Sequence, residues 1–520
     1  MKSPYFTKEH DLFRQTVREF MAKEVKPNAD QWEQQQRIPR AIWEKMGALG
    51  FLGINFPEKY GGAEADFFYS VVFLEEIGRT ALGGFAAAVA VQQYMATAHI
   101  FRTGSEALKQ KFLAPSNQGK KVGALAITEP NTGSDVAAIR TRAVREGDHY
   151  VIDGGKTFIT NGVYGDFVTV AVKTNPDAGV DGVSLIVVDT DTKGYTAKKL
   201  QKMGWHCSDT AEISFAEVRV PAANLIGQEN MGFYYMMESF QLERLVAALQ
   251  AIGGCEYCLE ITLKYITERE AFGRPLAKFQ TIRHKLADLA TELEAARRLT
   301  YHAAWLHGQD EHAVKECSMA KLLCSELANK IIDSCLQFFG GYGYMAEYEI
   351  SRMYRDARVG TIVGGASEIM REIISKILID GMKYDSVYES EKPAQGAKVA
   401  EPVVAESPAK KPETAAEIFQ TLPKRFKPEK AGDWQTVFHF DISGEDGGQF
   451  TVTIKDGSCT VETGLHGTPK CVVKSKAKTY RDIEFGKTNP QTAFMLGKVK
   501  VSSIPEMMQF AKMFRPLTET

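Results

Sequence analysis

Between residues 386 and 414 the chain loses the means to build a core, and that stretch limits its possible folds more than any other. It reads ESEKPAQGAKVAEPVVAESPAKKPET, with four prolines, abundant Ala, Glu and Lys, and no aromatic beyond Tyr388. Such a composition cannot bury enough apolar surface to offset the entropy of ordering. Residues 386–410 are therefore expected to be a disordered linker, with independent folding units on either side. At 520 residues and 44% apolar content the chain allows about three or four domains with packed cores, which excludes a small disulfide-stapled scaffold. With 63 basic and 65 acidic residues the net charge of −2 gives no global attraction to nucleic acid or an anionic membrane. Eight cysteines, of which only Cys255 and Cys258 stand at CxxC spacing, read as reduced, buried thiols. The amino terminus, MKSPYFTKEH, reaches charged residues at once, and the longest apolar run, Phe85 to Val91, has seven residues. A membrane span takes about 20, so a cytoplasmic protein without a transmembrane segment is expected.

Before the linker the texture changes twice. Residues 1–120 carry helical spacing, as in Phe13, Val17, Phe20 and Met21, and predict a helical domain. Residues 121–225 predict an antiparallel β domain: Val168 to Val172, Ser184 to Val188 and Ile213 to Val220 are β-rich runs, punctuated by Asp153-Gly154-Gly155, Asn161-Gly162 and Asp181-Gly182. From 226 to 385 long amphipathic helices return, with Leu286, Leu289, Ala290 and Leu293 spaced for one face. Beyond the linker, residues 411–520 predict helices flanking a small sheet. Alternation in Phe438, Phe440, Ile442 and in Phe450, Val452, Ile454 is followed by a turn at Asp456-Gly457. Histidines 302, 307 and 312 are expected on a solvated helix face and its exit, and no histidine or cysteine spacing suggests a metal.

Five blocks then occur in order: LAITEPNTGSDVAAIRTRA (125–143), GGKTFITNG (154–162), KMGWHCSDTAEISFAEVRVP (202–221), EREAFGRPLAKFQ (268–280) and QFFGGYGY (337–344). With these, residues 1–385 resemble the flavin-dependent acyl-CoA dehydrogenases. The resemblance implies a multidomain α+β chain: a helical N-terminal domain, a β-barrel middle domain and a four-helix-bundle domain. It also implies oxidation of an acyl-CoA thioester to the 2,3-enoyl thioester, as in fatty acid β-oxidation. That reaction needs a carboxylate for the α proton, an FAD beside Cβ for the hydride, and donors that polarise the thioester oxygen.

What the resemblance implies for individual residues is specific. Leu125, Ala126, Ile127, Thr128, Gly133 and Ser134, with Phe158, Ile159 and Thr160, would line the flavin, and Ser134 would also face the pantetheine arm. Phe158 stands where the family usually has Trp, which keeps a stacking surface and loses an indole donor. Arg269, Phe272, Gln280, Gln337, Gly340 and Gly341 match positions that hold the adenosine diphosphate end of FAD, partly from a neighbouring subunit, so a homotetramer or homodimer is implied. GGYGYMA is not a strand-to-helix GxGxxG, so a nicotinamide cofactor is not expected.

The base departs from the commoner pattern. Gly364, in IVGGASE (362–368), occupies the usual Glu position, and the long-chain and isovaleryl subgroups instead place the carboxylate in an Glu-Arg pair that matches Glu243-Arg244 here. A carboxylate reaching the same Cα proton from another backbone position is chemically equivalent if it is sufficiently desolvated. Phe240, Arg244, Gly364 and Gly365 are the remaining substrate-side candidates, Gly364 through its backbone N–H on the thioester carbonyl. Ala366, Ser367 and Glu368 would meet the ribose and pyrophosphate.

Residues 411–520 resemble the sterol-carrier-protein lipid-binding fold, most clearly in GKTNPQTAFMLGKVKVSSIPEMMQFAKMF (486–514). The implied ligand is a lipid or acyl-CoA in a tunnel for which Phe485, Phe494, Met495, Leu496, Met507, Met508, Phe510 and Met513 are candidates, although a small domain needs the same residues as core. The whole chain thus reads as an acyl-CoA dehydrogenase for a long or bulky chain, passing electrons to an electron-transfer flavoprotein. A non-catalytic acyl-CoA-binding scaffold and an oxygen-using acyl-CoA oxidase are the alternatives.

Overall fold

The structure, a computed structural model, describes residues 4–382, 384, 412, 414–431, 434–485, 499–503, 506, 507, 509, 510, 513–515 and 517. It divides into two compact units, Met1–Gln395 and Gly396–Thr520. The expected linker, 386–410, lies outside the described residues.

The first unit opens with helical segments that run to Asn117 and include the buried pair Phe67–Gly78 (α1) and Gly83–Ala90 (α2). An eight-stranded sheet follows: Gly123–Ala126 (β1), Arg142–Glu146 (β2), His149–Thr160 (β3), Phe167–Lys173 (β4), Val183–Asp189 (β5), Tyr195–Lys199 (β6), Thr210–Pro221 (β7) and Leu225–Ile226 (β8). The strand order is β6-β7-β3-β2-β4-β5-β8, with β1 on β4. Most pairs are antiparallel as expected, but β1 runs parallel to β4, and β2 meets β4 in a parallel pair at Arg142 and Lys173. The helical segment before β1 delivers the chain to the sheet in the direction of β4, so a hairpin is not required there. Asp153-Gly154-Gly155, expected to be a turn, instead lies within β3 at a bulge facing β7.

The sheet is followed by a bundle built from Gly232–Glu268 (α3), Gln280–Gly308 (α4), Val314–Phe339 (α5) and Ser367–Leu378 (α6). Helix α3 packs on α1 at very close range: a Cβ on Gly253 would lie 2.0 Å from the Glu75 carbonyl, and one on Gly78 would lie 2.2 Å from that of Gln250. The absence of both side chains is what lets the two backbones meet. Contrary to the run-length argument, α3 is by length and composition apolar enough to cross a membrane; in the fold it is the central helix of the bundle, with Leu245, Val246, Leu249 and Ile252 buried.

Two histidines correct the expectation of a solvated face. His302 is exposed, but His307 packs edge-on against Phe67 at 4.6 Å, where burial, then Arg102 and His312, push its pKa down to about 4. The ring of His312 lies 2.6 Å from Glu238 Oε1 and 2.8 Å from the Tyr384 carbonyl. Helix-to-helix packing around α3 turns these positions inward. Ala290, expected on the buried face of α4 with Leu289 and Leu293, is exposed.

In the second unit, Ala415–Arg425 (α7) lies with a five-stranded sheet of Thr436–Ser443 (β9), Gly448–Lys455 (β10), Ser458–Thr463 (β11), Cys471–Lys476 (β12) and Val499–Val501 (β13), in the order β11-β10-β9-β12-β13. The alternation expected for β9 and β10 is present, with Phe438, Phe440, Ile442, Phe450, Val452 and Ile454 all buried. Phe510 and Met513 are buried in the core and Phe485 and Met507 partly so, whereas Phe494, Met495, Leu496 and Met508 lie outside the described residues. All eight cysteines are free and buried, and no group of metal-ligating side chains occurs among the described residues.

Candidate active site

Three elements of the first unit carry the predicted flavin-side and substrate-side residues. The first is the turn after β1. Glu129 Oε1 lies 2.8 Å from Lys156 Nζ, and its carboxylate also accepts the N–H groups of Arg140 at 2.7 Å and Thr141 at 2.9 Å. Lys156 additionally donates to the Ile127 carbonyl, and the Thr157 N–H to that of Thr128. Burial alone raises the pKa of Glu129, but the Lys156 charge and these hydrogen bonds outweigh it and hold it below the usual range; burial pushes Lys156 down to about 8. This clasp was not singled out from the sequence, although both residues stand within the quoted motifs. It pins the Thr128 turn to the end of β3 and leaves Gly133 and Ser134 exposed.

The clasp sits beside a bulge. Between Lys156 and Ile159 the pairing of β3 with β7 shifts register, and Phe158 takes φ +63° with 69% of its surface exposed. The ring is turned out of the sheet. Ile159 and Ala126, by contrast, are buried in the β core, so only their backbone can reach a ligand; the alternation of the strands sets this. Leu125, Ile127, Thr128 and Thr160 are partly exposed.

The second element is α3. Glu243 is 7% exposed, and its Oε1 has no hydrogen-bond partner. Desolvation raises its pKa to about 7, against the opposing charge of Arg244. Arg244 is also buried; its Nη1 lies 3.4 Å from Ser318 Oγ, its Nε is unpartnered, and its guanidinium carbon is 6.0 Å from the Phe240 ring. The third element is the turn before α6. Gly364 and Gly365 have φ of +62° and +91°, conformations that glycine adopts at little cost. Lys321, on α5, donates to the Gly365 carbonyl and stands within electrostatic range of Arg244, which joins this turn to the Glu243-Arg244 segment. Ser367 is buried with an unpartnered Oγ, and Ala366 begins α6 without a side-chain cap.

A second group lies together at the far end of α3. Arg269 is 5.8 Å from the Tyr342 ring, which joins the Glu270–Pro275 hairpin to the Gly340–Tyr344 turn. Arg269, Gln280, Gln337, Gly340 and Gly341 are exposed, and Phe272 is 95% exposed.

Family models for the N-terminal, middle and C-terminal domains of acyl-CoA dehydrogenase match residues 7–120, 124–218 and 230–379, and the SCP-2 sterol transfer family matches 417–515. The chain is 41% identical over 377 residues to the long-chain specific acyl-CoA dehydrogenase of Rattus norvegicus mitochondria, covering 72% of this chain and 87% of that protein. It belongs to the acyl-CoA dehydrogenase family. It is also 38% identical over 377 residues to the Caffeyl-CoA reductase-Etf complex subunit CarC of Acetobacterium woodii, covering 72% and 99% of the two chains. The acyl-CoA dehydrogenase structure from Geobacillus kaustophilus superposes with a TM-score of 0.71 at 43% identity, over 73% of this chain and all of that one. A glutaryl-CoA dehydrogenase from Mycobacterium smegmatis, in complex with FADH2, gives 0.69 at 29% identity over 72% and 96% of the chains. The protein is an acyl-CoA dehydrogenase with a C-terminal SCP-2 domain, and FAD-dependent dehydrogenation of acyl-CoA is the reaction of its family.

Proposed function

We propose that Glu243 is the base that removes the α proton of a long or bulky acyl-CoA. The observation that carries this is a buried carboxylate whose Oε1 has no partner and whose pKa lies at about 7. A base is most effective when its pKa sits near the working pH, and an unpartnered oxygen is free to take a proton. Arg244 beside it limits the upward shift and thereby keeps a useful ionised fraction.

The residues present fit FAD. Ser367 offers an unpartnered buried hydroxyl, α6 begins with uncapped N–H groups, Phe158 presents an exposed ring, and a Cβ on Gly340 or Gly341 would meet nothing within 4 Å. When bound, FAD supplies the acceptor for the Cβ hydride. Thr128, Thr160 and Phe158 would orient its ring, with the backbones of Leu125, Ala126, Ile127 and Ile159; Ala366, Ser367 and Glu368 would hold its ribose and pyrophosphate. Ser134 and Phe240 would position the pantetheine arm, and the Gly364 N–H would donate to the thioester carbonyl as negative charge builds there. Arg269, Phe272, Gln280, Gln337, Gly340 and Gly341 would hold the adenosine end across a subunit boundary in a homodimer or homotetramer; the 95% exposure of Phe272 in one chain supports that reading.

Electrons would leave to an electron-transfer flavoprotein, as the Etf-complex relative suggests. The SCP-2 domain would hold a lipid or acyl-CoA, and a linker of about 25 residues would give it a roughly millimolar effective concentration at the active site. The boundaries 1–120, 121–225, 226–385 and 411–520 are proposed as the working domains, and a cytoplasmic location is the expected one.

Anaerobic titration of the yellow protein with saturated acyl-CoAs of increasing length tests the assignment. Flavin bleaching in the wild type and its loss in Glu243→Gln is the expected result; equal bleaching in both would remove Glu243 from the role. Binding of every thioester without bleaching in either would leave an acyl-CoA-binding scaffold. Rapid reoxidation by oxygen would favour an oxidase.

A further inference from the structure

Lys321 is a cation placed where a cation is costly. It is 1% exposed on α5, and an ammonium held there without compensation is strongly disfavoured. Its ammonium donates to the carbonyl of Gly365, a charge-assisted bond stronger than an ordinary amide contact. The neighbouring charges are Arg244 on α3, which opposes it, and Glu326 on α5 and Glu368 on α6, which favour it. Burial, followed by Arg244, brings its pKa down to about 8, so it remains mostly charged at neutral pH.

The turn it holds has little else to order it. Gly364 and Gly365 are consecutive residues with positive φ, and two adjacent glycines lose more conformational freedom on ordering than any other pair. Ile362 and Val363 on the approach are exposed, and a Cβ on Gly364 would meet nothing within 4 Å. On the inner side, a Cβ on Gly365 would lie 2.5 Å from Met370 Cε, so the turn is seated against that side chain and the ammonium.

We propose that Lys321 is a positioning residue for the reaction: by tethering the Gly365 carbonyl it fixes the Gly364–Gly365 turn, and with it the Gly364 N–H that meets the thioester. This rests on the assignment of Gly364 and Glu243 above. Lys321 touches neither substrate nor flavin in this account; it acts through the turn. A donor that must be aimed at a developing oxyanion contributes to the transition state more than to ground-state binding, so the loss should fall on kcat.

The test uses the full-length holoenzyme with hexadecanoyl-CoA and compares Lys321→Met, which keeps the length and packing of the stem, with Lys321→Arg, which keeps charge and donors. In Lys321→Met, amide hydrogen exchange across 363–367 should accelerate about tenfold. In the same variant kcat should fall about 10- to 100-fold while KM moves less than about threefold. Lys321→Arg should recover most of both. Unchanged exchange in Lys321→Met, or a rise in KM with kcat intact, would overturn the proposal. Should Lys321→Met not fold, Lys321→Arg is set against Lys321→Gln: a higher kcat for Arg at equal KM supports the tether, and equal kcat overturns it. Glu243→Gln is run in parallel. If that variant still turns over, the site assignment itself has failed; if it is inactive while Lys321→Met is normal in both measures, only the tether has.

Discussion

Glu129 and Glu243 are both buried carboxylates of the first unit, and the structure treats them oppositely. In the β domain Glu129 is met by the Lys156 ammonium and two backbone N–H groups and is held ionised. In the bundle Glu243 keeps an oxygen without a partner and is held near neutrality, at about 7. The first arrangement stabilises a turn; the second sacrifices stability to leave a proton acceptor free. Burial alone therefore does not set the proton affinity of a carboxylate. The partners it is given or denied do.

The largest expected effect comes from removing the free acceptor. Glu243→Gln should lower kcat by about 10³-fold or more, measured by anaerobic flavin reduction with a long-chain acyl-CoA. The same substitution should make the protein more stable. The folded pKa of Glu243 is raised from an ordinary 4.5 to about 7, so the native state binds more protons between those values and its stability falls as pH rises through that window. Gln escapes this loss, and at pH 8 the gain should approach about 3 kcal/mol, checked by unfolding midpoints at pH 5 and 8. A destabilised Glu243→Gln would break the comparison.

Glu129 should behave in the reverse sense. Glu129→Gln leaves Lys156 buried without its counter-charge and should cost about 3 kcal/mol of stability. Because the pKa of Glu129 is held below 4.5, its contribution is present above that value and lost as pH falls through the folded pKa. Glu129→Gln should therefore flatten the acid side of the stability profile, where Glu243→Gln flattens the side between about 4.5 and 7.

If Glu243 is the base as proposed, wild-type kcat/KM should rise with pH through about 7, where its carboxylate ionises, and level off above it. A limb near pH 4.5 would mean that the working carboxylate is not desolvated. The smallest effect concerns the tail. Ending the chain at 385 should leave turnover of soluble acyl-CoAs nearly unchanged and slow that of poorly soluble ones by less than about tenfold. A loss independent of chain length would show that the tail supports the fold of the first unit instead.

Much of the candidate site was nameable in the chain because motif residues are recognised by identity at fixed spacing. Glu243-Arg244 with apolar flanks, Gly364 and the TEPNTGSD block each stood out in sequence as candidates. Other features depended on which side of an element faces inward. The inward rings of His307 and His312, the buried side chain of Ile159 and the bulge that replaces a turn at Gly154 all follow from packing against segments distant in the chain. Lys321 shows this most clearly, for nothing local to an amphipathic helix separates a lysine that caps a distant glycine turn from one that faces water.

The sequence by itself determined the two folding units, the order helical, β, helical, and the residue types able to perform the chemistry, because composition and periodicity act locally along the chain. Only the tertiary structure decided which buried charges are satisfied and which are left free. Partners for Glu129, Lys156 and Lys321 are side chains or carbonyls brought from elsewhere in the fold, Glu243 Oε1 is left without one, and desolvation, which shifts their proton affinities, is a property of the assembled core.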